Sequence, residues 1–448
     1  MSPRCSRCRS PVPSDLVDPR SRAGHPLRWV AGLVLCLGAV LLGYLALPDS
    51  EDAALAPAQP PSAQPPTAAA AAVDRDVSTD ALLVDLVAAL TTGSKSDARA
   101  LGARGDQAAD RELVEMRANV RRLGITDLSL ASVDEPAGRD PSIGPRRPAR
   151  SWVAHVQTRW RIDGYDDAAS QMEVTMTFRE TRDGAAFVSA REGFGSAVPL
   201  WVLDELAVER SRDSLTMVAG DTVGAYGELA EQAVVDVRKV LPAWREGLVV
   251  EVPGSEPDLD RVLASDDGSY GAIAAVTTPV DGSLEDGAPV HIFVNPLVFG
   301  SLGEQGAQIV MTHEAAHVAT AAATATLPTW LVEGFADYVA LAHVDLPVEV
   351  TASQIIEQVS TDGVPDQLPR PADFESQNPG LGASYEAAWL ACKLIGDRYG
   401  EARLIRFYEK ADRDSSTTAA FRQVLGTTHA EFAAQWRDYL ATLAVPAD

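Results

Sequence analysis

The chain predicts an α+β protein with a single membrane-spanning helix ahead of more than one folded unit. Three observations carry this. Residues 29–47 hold no charge, residues 152–162 and 172–178 alternate apolar and polar side chains, and segments on either side repeat their apolar residues at helical spacing. At roughly 150 residues per domain, 448 residues exceed one core.

Apolar residues make up 46% and charged residues 23%, which excludes wholesale disorder. Acids outnumber bases 63 to 38, for a net charge of −25. The imbalance is uneven. Residues 1–47 carry six Arg against two Asp, a balance of +4, and the rest carries 32 bases against 61 acids. A body this acidic does not track nucleic-acid phosphates, so no nucleic-acid partner is expected. Its charge favours solubility through self-repulsion. Four cysteines are too few for a disulfide scaffold.

Trp29 to Leu47 is a 19-residue uncharged run. As a helix it spans roughly 28 Å, close to a bilayer's hydrocarbon core. Trp29 and Tyr44 sit near its ends, where aromatic rings suit the interface. Arg4, Arg7, Arg9, Arg20, Arg22 and Arg28 precede it, and Asp49, Glu51 and Asp52 follow. The positive-inside rule puts residues 1–28 in the cytoplasm and everything after residue 48 outside. The rival is a cleaved signal peptide, for which Ala54-Leu55-Ala56 has the right form. The apolar run exceeds a signal core of roughly 7–15 residues, and Pro57 follows the cut, so an uncleaved anchor is the reading.

Cys5 and Cys8 in the cytoplasmic tail form C-x-x-C, half of a tetrahedral zinc site. With no second pair, a complete site needs a second chain; the alternative is two unrelated reduced thiols. Cys36 lies in the anchor and Cys392 alone lies outside, so no disulfide can form within the external part. Residues 48–75 are dominated by Pro and Ala and read as a semi-extended spacer.

Residues 76–205 read as a small α+β unit. Val77 to Leu90 has helical apolar spacing, with Ser78 or Thr79 as cap, and Leu113 to Leu123 suits a second helix. Trp152–Ile162 and Met172–Phe178 then read as half-buried strands, and Asp183-Gly184 as a hairpin turn. This order resembles the cone-shaped folds of the nuclear-transport-factor-two-like type, in which a curved antiparallel sheet wraps a helix. The resemblance implies a domain that holds a ligand or mediates contacts, but no constellation names the ligand. His155 is an ordinary strand residue in this reading.

The chemistry concentrates between Gln308 and Tyr338. Gln308 to Ala319 contains neither Gly nor Pro and reads as a buried helix. His313 and His317, four apart, leave one face a turn apart, a spacing that suits two nitrogens on one zinc ion. Glu314 is rotated by roughly 100° and can reach a metal-bound water rather than the metal. Three such groups in an apolar helix are costly unless something satisfies them. A second helix starts at Pro328, a favoured first helical position. Glu333 and Asp337 share one of its faces. Glu333 can complete a His₂Glu set with the fourth position left for water, and Asp337 can take the free N–H of a ligating histidine. Gly334 costs about 1 kcal/mol against Ala in a helix, which close approach of the two helices would explain.

His313-Glu314-Ala-Ala-His317, a short Ala-Thr-rich connection and Trp330-Leu-Val-Glu333-Gly334-Phe335-Ala336-Asp337-Tyr338 together resemble the gluzincin metallopeptidases. The resemblance covers about residues 215–445, within a peptidase unit placed at 206–448. It implies a zincin-type α+β fold with a mainly helical C-terminal part. It further implies Zn²⁺ on His313, His317 and Glu333, Glu314 as general base, His313 as the partner of Asp337, and peptide hydrolysis. Asp221 to Trp244 looks like the long helix preceding the active-site helix, and His291 to Asn295 like the edge strand that pairs with substrate. Ser384 to Gly400 resembles the helix whose tyrosine, here Tyr385, aids the oxyanion. Phe421 to Leu443, with Trp436, looks like the closing helices. His291 and His343 carry no role in this reading.

Two departures narrow the class. The metzincin pattern needs a glycine and a third histidine where this chain has Thr320 and Ala323. The aminopeptidase G-A-M-E-N string has only Gly271-Ala-Ile-Ala-Ala275 as a counterpart, with neither Glu nor Asn. The expectation is therefore a membrane-anchored, extracytoplasmic zinc endopeptidase of bacterial-envelope type. It acts on a peptide or protein, with residues 76–205 docking substrate or occluding the cleft. The alternatives are an aminopeptidase and a non-catalytic zinc-containing sensor that works through residues 76–205.

Overall fold

The computed structural model describes residues 66–134, 150–191, 197–285, 287–375 and 378–444. The anchor at 29–47, the Cys5 and Cys8 tail and the spacer up to residue 65 lie outside them. Among the described residues no helix is long and apolar enough to cross a membrane. The architecture is α+β, with two sheets and helices packed on them.

The first helix, α1 (Pro66–Thr91), begins inside the segment read as spacer. Residues 68–72 are five alanines, the strongest helix formers, behind a proline at the helix start. Ser78 and Thr79 are therefore interior residues and not caps. Thr79 is buried, and its Oγ1 accepts from Trp152 Nε1 at 3.2 Å. A short helix, α2 (Lys95–Ala100), leads to α3 (Gln107–Arg122), whose cap is Asp106 accepting from the Ala109 amide. Ala109, Leu113, Met116 and Val120 bury one face of α3 at helical spacing.

Four strands follow: β1 (Ile125–Asp134), β2 (Ser151–Ile162), β3 (Ser170–Thr181) and β4 (Gly184–Ser189). They pair in chain order, each antiparallel to the next. Gly184 adopts φ 128 at the β3–β4 turn, a conformation that favours glycine. His155 Nδ1 lies 2.9 Å from Glu173 Oε1, a partly exposed contact between β2 and β3.

The second sheet contains β5 (Leu206–Arg210), β6 (Ser214–Ala219), β7 (Leu248–Val252), β8 (Ala275–Pro279) and β9 (Val290–Val294), in the order β5-β6-β7-β9-β8. Helix α4 (Tyr226–Val240) crosses from β6 to the parallel β7 and is shorter than the Asp221 to Trp244 span expected for it. The strand expected at the sheet edge, residues 291–295, is interior. β9 pairs with β7 on one side and β8 on the other. The reason is legible in burial: four of the five residues of Val-His-Ile-Phe-Val are buried, which suits a strand covered on both faces. The sheet ends instead at β8.

The remaining principal helices are α5 (Gly303–Ala319), α6 (Thr329–Leu341), α7 (Ser353–Asp362), α8 (Leu381–Tyr399), α9 (Glu401–Arg413) and α10 (His429–Leu443). One face of the second sheet, with Val250, Val252, Ile292 and Val294, packs against α4 and α5. Its other face, with Leu215, Met217, Val249 and Phe293, joins the core of the first sheet and of α1 and α3. The second sheet is thus a layer common to two apolar cores.

Within that second core sits a charged group. His291 on β9 has Nδ1 2.6 Å from Glu251 Oε1 on β7 and Nε2 3.0 Å from Asp166 Oδ1 in the loop after β2. All three residues are buried. Asp166 is fixed in turn by accepting from the Ile162 amide at 2.8 Å. Burial alone would lower the His291 pKa, but Asp166 and Glu251 outweigh it and raise it from 6.5 to about 9. The imidazolium therefore links the two sheets, and removing it strands two buried carboxylates side by side.

Because the folded value lies above the unfolded one, this contribution is fully present below pH 6.5 and is lost as pH rises through about 9. Denaturant melts across pH 6–10 are expected to show stability falling at the alkaline end. The His291→Phe variant is expected to lose about 3–5 kcal/mol at neutral pH in the same melts.

Candidate metal centre

Helix α5 is enclosed by α4, α6 and the β8–β9 side of the second sheet. Every residue from Ile309 to His317 is buried, so its sequence could be apolar all round. It is interrupted by His313, Glu314 and His317, each 1% exposed or less. Helix α6 brings Glu333 and Asp337 against them, also buried.

His313 Nε2 and His317 Nε2 lie 2.8 Å apart. Glu333 Oε2 is 3.4 Å from the first and 3.5 Å from the second. Two donors bound at roughly 2.1 Å to one tetrahedral ion would lie roughly 3.4 Å apart; the two spacings to Glu333 match that value, and the two imidazole nitrogens lie closer together than it. Glu333 Oε2 is buried without a hydrogen-bond partner of good geometry, and a buried orphan of this kind is costly. Both observations fit a cation held between the three atoms. Among the described residues, His313, His317 and Glu333 are the one group of three or more such side chains placed to hold a metal ion.

Asp337 Oδ1 is 2.8 Å from His313 Nδ1. This fixes which nitrogen of His313 carries the proton and turns Nε2 towards the centre. His317 Nδ1 has no partner among the described residues, so only one of the two imidazoles is braced in this way. Burial by itself would lower the His313 pKa; Asp337, Glu333 and Glu314 reverse this and raise it to about 10. Burial would raise the Glu333 carboxyl, but His317 and His313 hold it at about 2. Burial and the neighbouring Glu333 push Asp337 upward against the pull of His313. Glu314, Glu333 and Asp337 crowd two imidazoles, and a divalent cation would offset part of their negative charge.

Gly334 explains how α6 fits. A Cβ there would stand 2.3 Å from the Ala388 carbonyl oxygen of α8. The close neighbour is therefore α8, and not the histidine-bearing helix. Tyr385, near the start of α8, is 2% exposed, with its ring edge-on to Phe374 at 5.0 Å. Its phenol is pushed well up, first by burial and then by the charges of Glu333, Asp337 and Glu314. It shares the electrostatic surroundings of the centre. His343 is exposed.

One residue near the centre had no role in the sequence reading. Thr277 on β8 donates to Glu314 Oε2 at 2.7 Å and is 1% exposed. Its only signal is a place as the first of two threonines after the apolar run Ala272 to Val276, which is not distinctive without the fold.

A scan against models of protein families finds no match for this chain, and a search of curated proteins finds none.

The Asp337→Asn variant is expected to bind zinc about 10–100-fold more weakly than the natural chain in competition with a chromophoric chelator. Equal affinity would mean that the contact to His313 does not tune the centre.

Proposed function

We propose that this chain is a zinc-dependent peptidase of gluzincin type. It is anchored by residues 29–47, with its N-terminus in the cytoplasm and its active site outside. The observation that carries the reading is the convergence of His313 Nε2, His317 Nε2 and Glu333 Oε2, with the Glu314 carboxylate on the next residue of the same helix. In this reading residues 206–448 form a zincin-type unit and residues 76–205 a cone-like unit that docks substrate or covers the cleft.

His313, His317 and Glu333 would hold the ion. When bound, zinc supplies Lewis acidity towards a carbonyl oxygen and acidifies water near neutral pH. The chain's own groups do the rest. Asp337 keeps the proton of His313 on Nδ1. Glu314 takes a proton from the water that attacks the scissile carbonyl and passes it to the leaving amine nitrogen. The Tyr385 phenol, kept protonated by burial and by nearby carboxylates, donates to the oxygen that gains charge.

Cleavage within a chain is favoured over removal of terminal residues. Residues 271–279, from Gly271 to the end of β8, contain no acidic side chain to hold a free amino terminus.

The Glu314→Gln variant of the full chain is expected to lose about 10²–10⁴-fold in hydrolysis of quenched fluorescent peptides blocked at both ends, with its zinc content retained. Undiminished hydrolysis would remove the proposed base. Hydrolysis confined to peptides with a free amino terminus would favour an aminopeptidase.

A further inference from the structure

Thr277 and Glu314 come from distant parts of the chain and meet through a short contact. Thr277 sits in the middle of β8, the edge strand, with its side chain turned towards α5. Its Oγ1 lies 2.7 Å from Glu314 Oε2 and 3.1 Å from the Glu314 carbonyl oxygen, and a hydroxyl has one proton to give. The carboxylate is the nearer and the stronger acceptor.

The residue type at 277 is informative. The position is 1% exposed, and its neighbours Ala275 and Ile292 belong to the apolar core between the second sheet and α5. Valine has the same shape and would pack there without a polar group to satisfy. The one gain from a hydroxyl is the contact to Glu314. A β-branched side chain on a strand also has a stiff first torsion, so the donor is held in place by the sheet. The Glu314 side chain has no such stiffness: three torsions separate its carboxylate from the backbone.

We infer that Thr277 is a positioning residue that holds the Glu314 carboxylate in its working orientation through the Oγ1–Oε2 hydrogen bond. The inference rests on the reading of Glu314 as general base. The bond occupies Oε2 and leaves Oε1 as the atom that handles the proton. It also ties the base to β8, so the strand at the sheet edge and the base move as one body. Catalytic groups held by donors on rigid elements keep their geometry, and misplacement by about 1 Å costs on the order of 100-fold in rate.

The test uses the full chain with Thr277→Val, Thr277→Ser, Glu314→Gln and the Val/Gln double variant. Thr277→Val is expected to lower kcat about 10–100-fold with KM and zinc content unchanged, and Thr277→Ser to restore kcat to within about 5-fold of the natural chain. In the Glu314→Gln background the valine is expected to change kcat less than about 2-fold, because its effect passes through the carboxylate. A crystal structure of zinc-loaded Thr277→Val is expected to show the Glu314 carboxylate rotated from its position in the natural chain. Unchanged kcat, multiplying effects in the double variant, or an unmoved carboxylate would each overturn the inference. If the natural chain binds zinc and cleaves nothing, the peptidase reading fails, and the carboxylate position in that crystal structure still decides the role of Thr277.

Discussion

Two imidazole nitrogens and a carboxylate oxygen meet within 3.5 Å of one another, on side chains 1% exposed or less. Stranding these groups without a partner would cost several kcal/mol, against a total stability of roughly 5–15 kcal/mol. The surrounding structure is organised around paying that cost once. Helix α5 supplies the two imidazoles a turn apart, α6 supplies the acid, and Asp337 one turn further on fixes a ring. Gly334 lets α6 lie against the α8 backbone, which sets the depth at which Glu333 sits.

The second sheet carries the centre from the other side. Its helix-facing surface packs on α4 and α5, and its edge strand presents Thr277 to Glu314. Its opposite surface is shared with the first sheet, and there a second buried polar group holds the two layers together. Asp166, Glu251 and His291 come from the loop after β2, from β7 and from β9. The two polar groups differ in kind. The His291 group is closed, with each ring nitrogen meeting a carboxylate oxygen. The centre at His313 leaves Glu333 Oε2 without a partner between two imidazoles, which marks it as the one that suits a cation.

Much of the centre was legible in the sequence because it rests on local spacing. Histidines four apart on a helix share a face wherever that helix lies, and the same holds for Glu333 and Asp337. The contact from Asp337 to His313 in particular came from resemblance, since spacing alone does not say which ring it meets. The strands of the first sheet were legible from alternation, although β1 and the full length of α1 were not. The Pro-rich composition before residue 76 masked the helix-forming alanines at 68–72. What could not be read is what depends on strand order. Nothing local distinguishes an inner strand from an edge strand, so residues 291–295 took the place that belongs to β8. Thr277 and the partners of His291 follow from the same order, and both come from contacts spanning 37 or more residues.

The central claim is that His313, His317 and Glu333 share one zinc ion. Metal analysis of the purified full chain, paired with X-ray absorption at the zinc edge, tests it most directly. The account predicts one zinc per chain, removable by chelator, with two imidazole nitrogens and oxygen donors at roughly 2.0–2.2 Å. A chain that holds no stoichiometric metal, or whose zinc keeps the same ligands after His317→Ala, would contradict it.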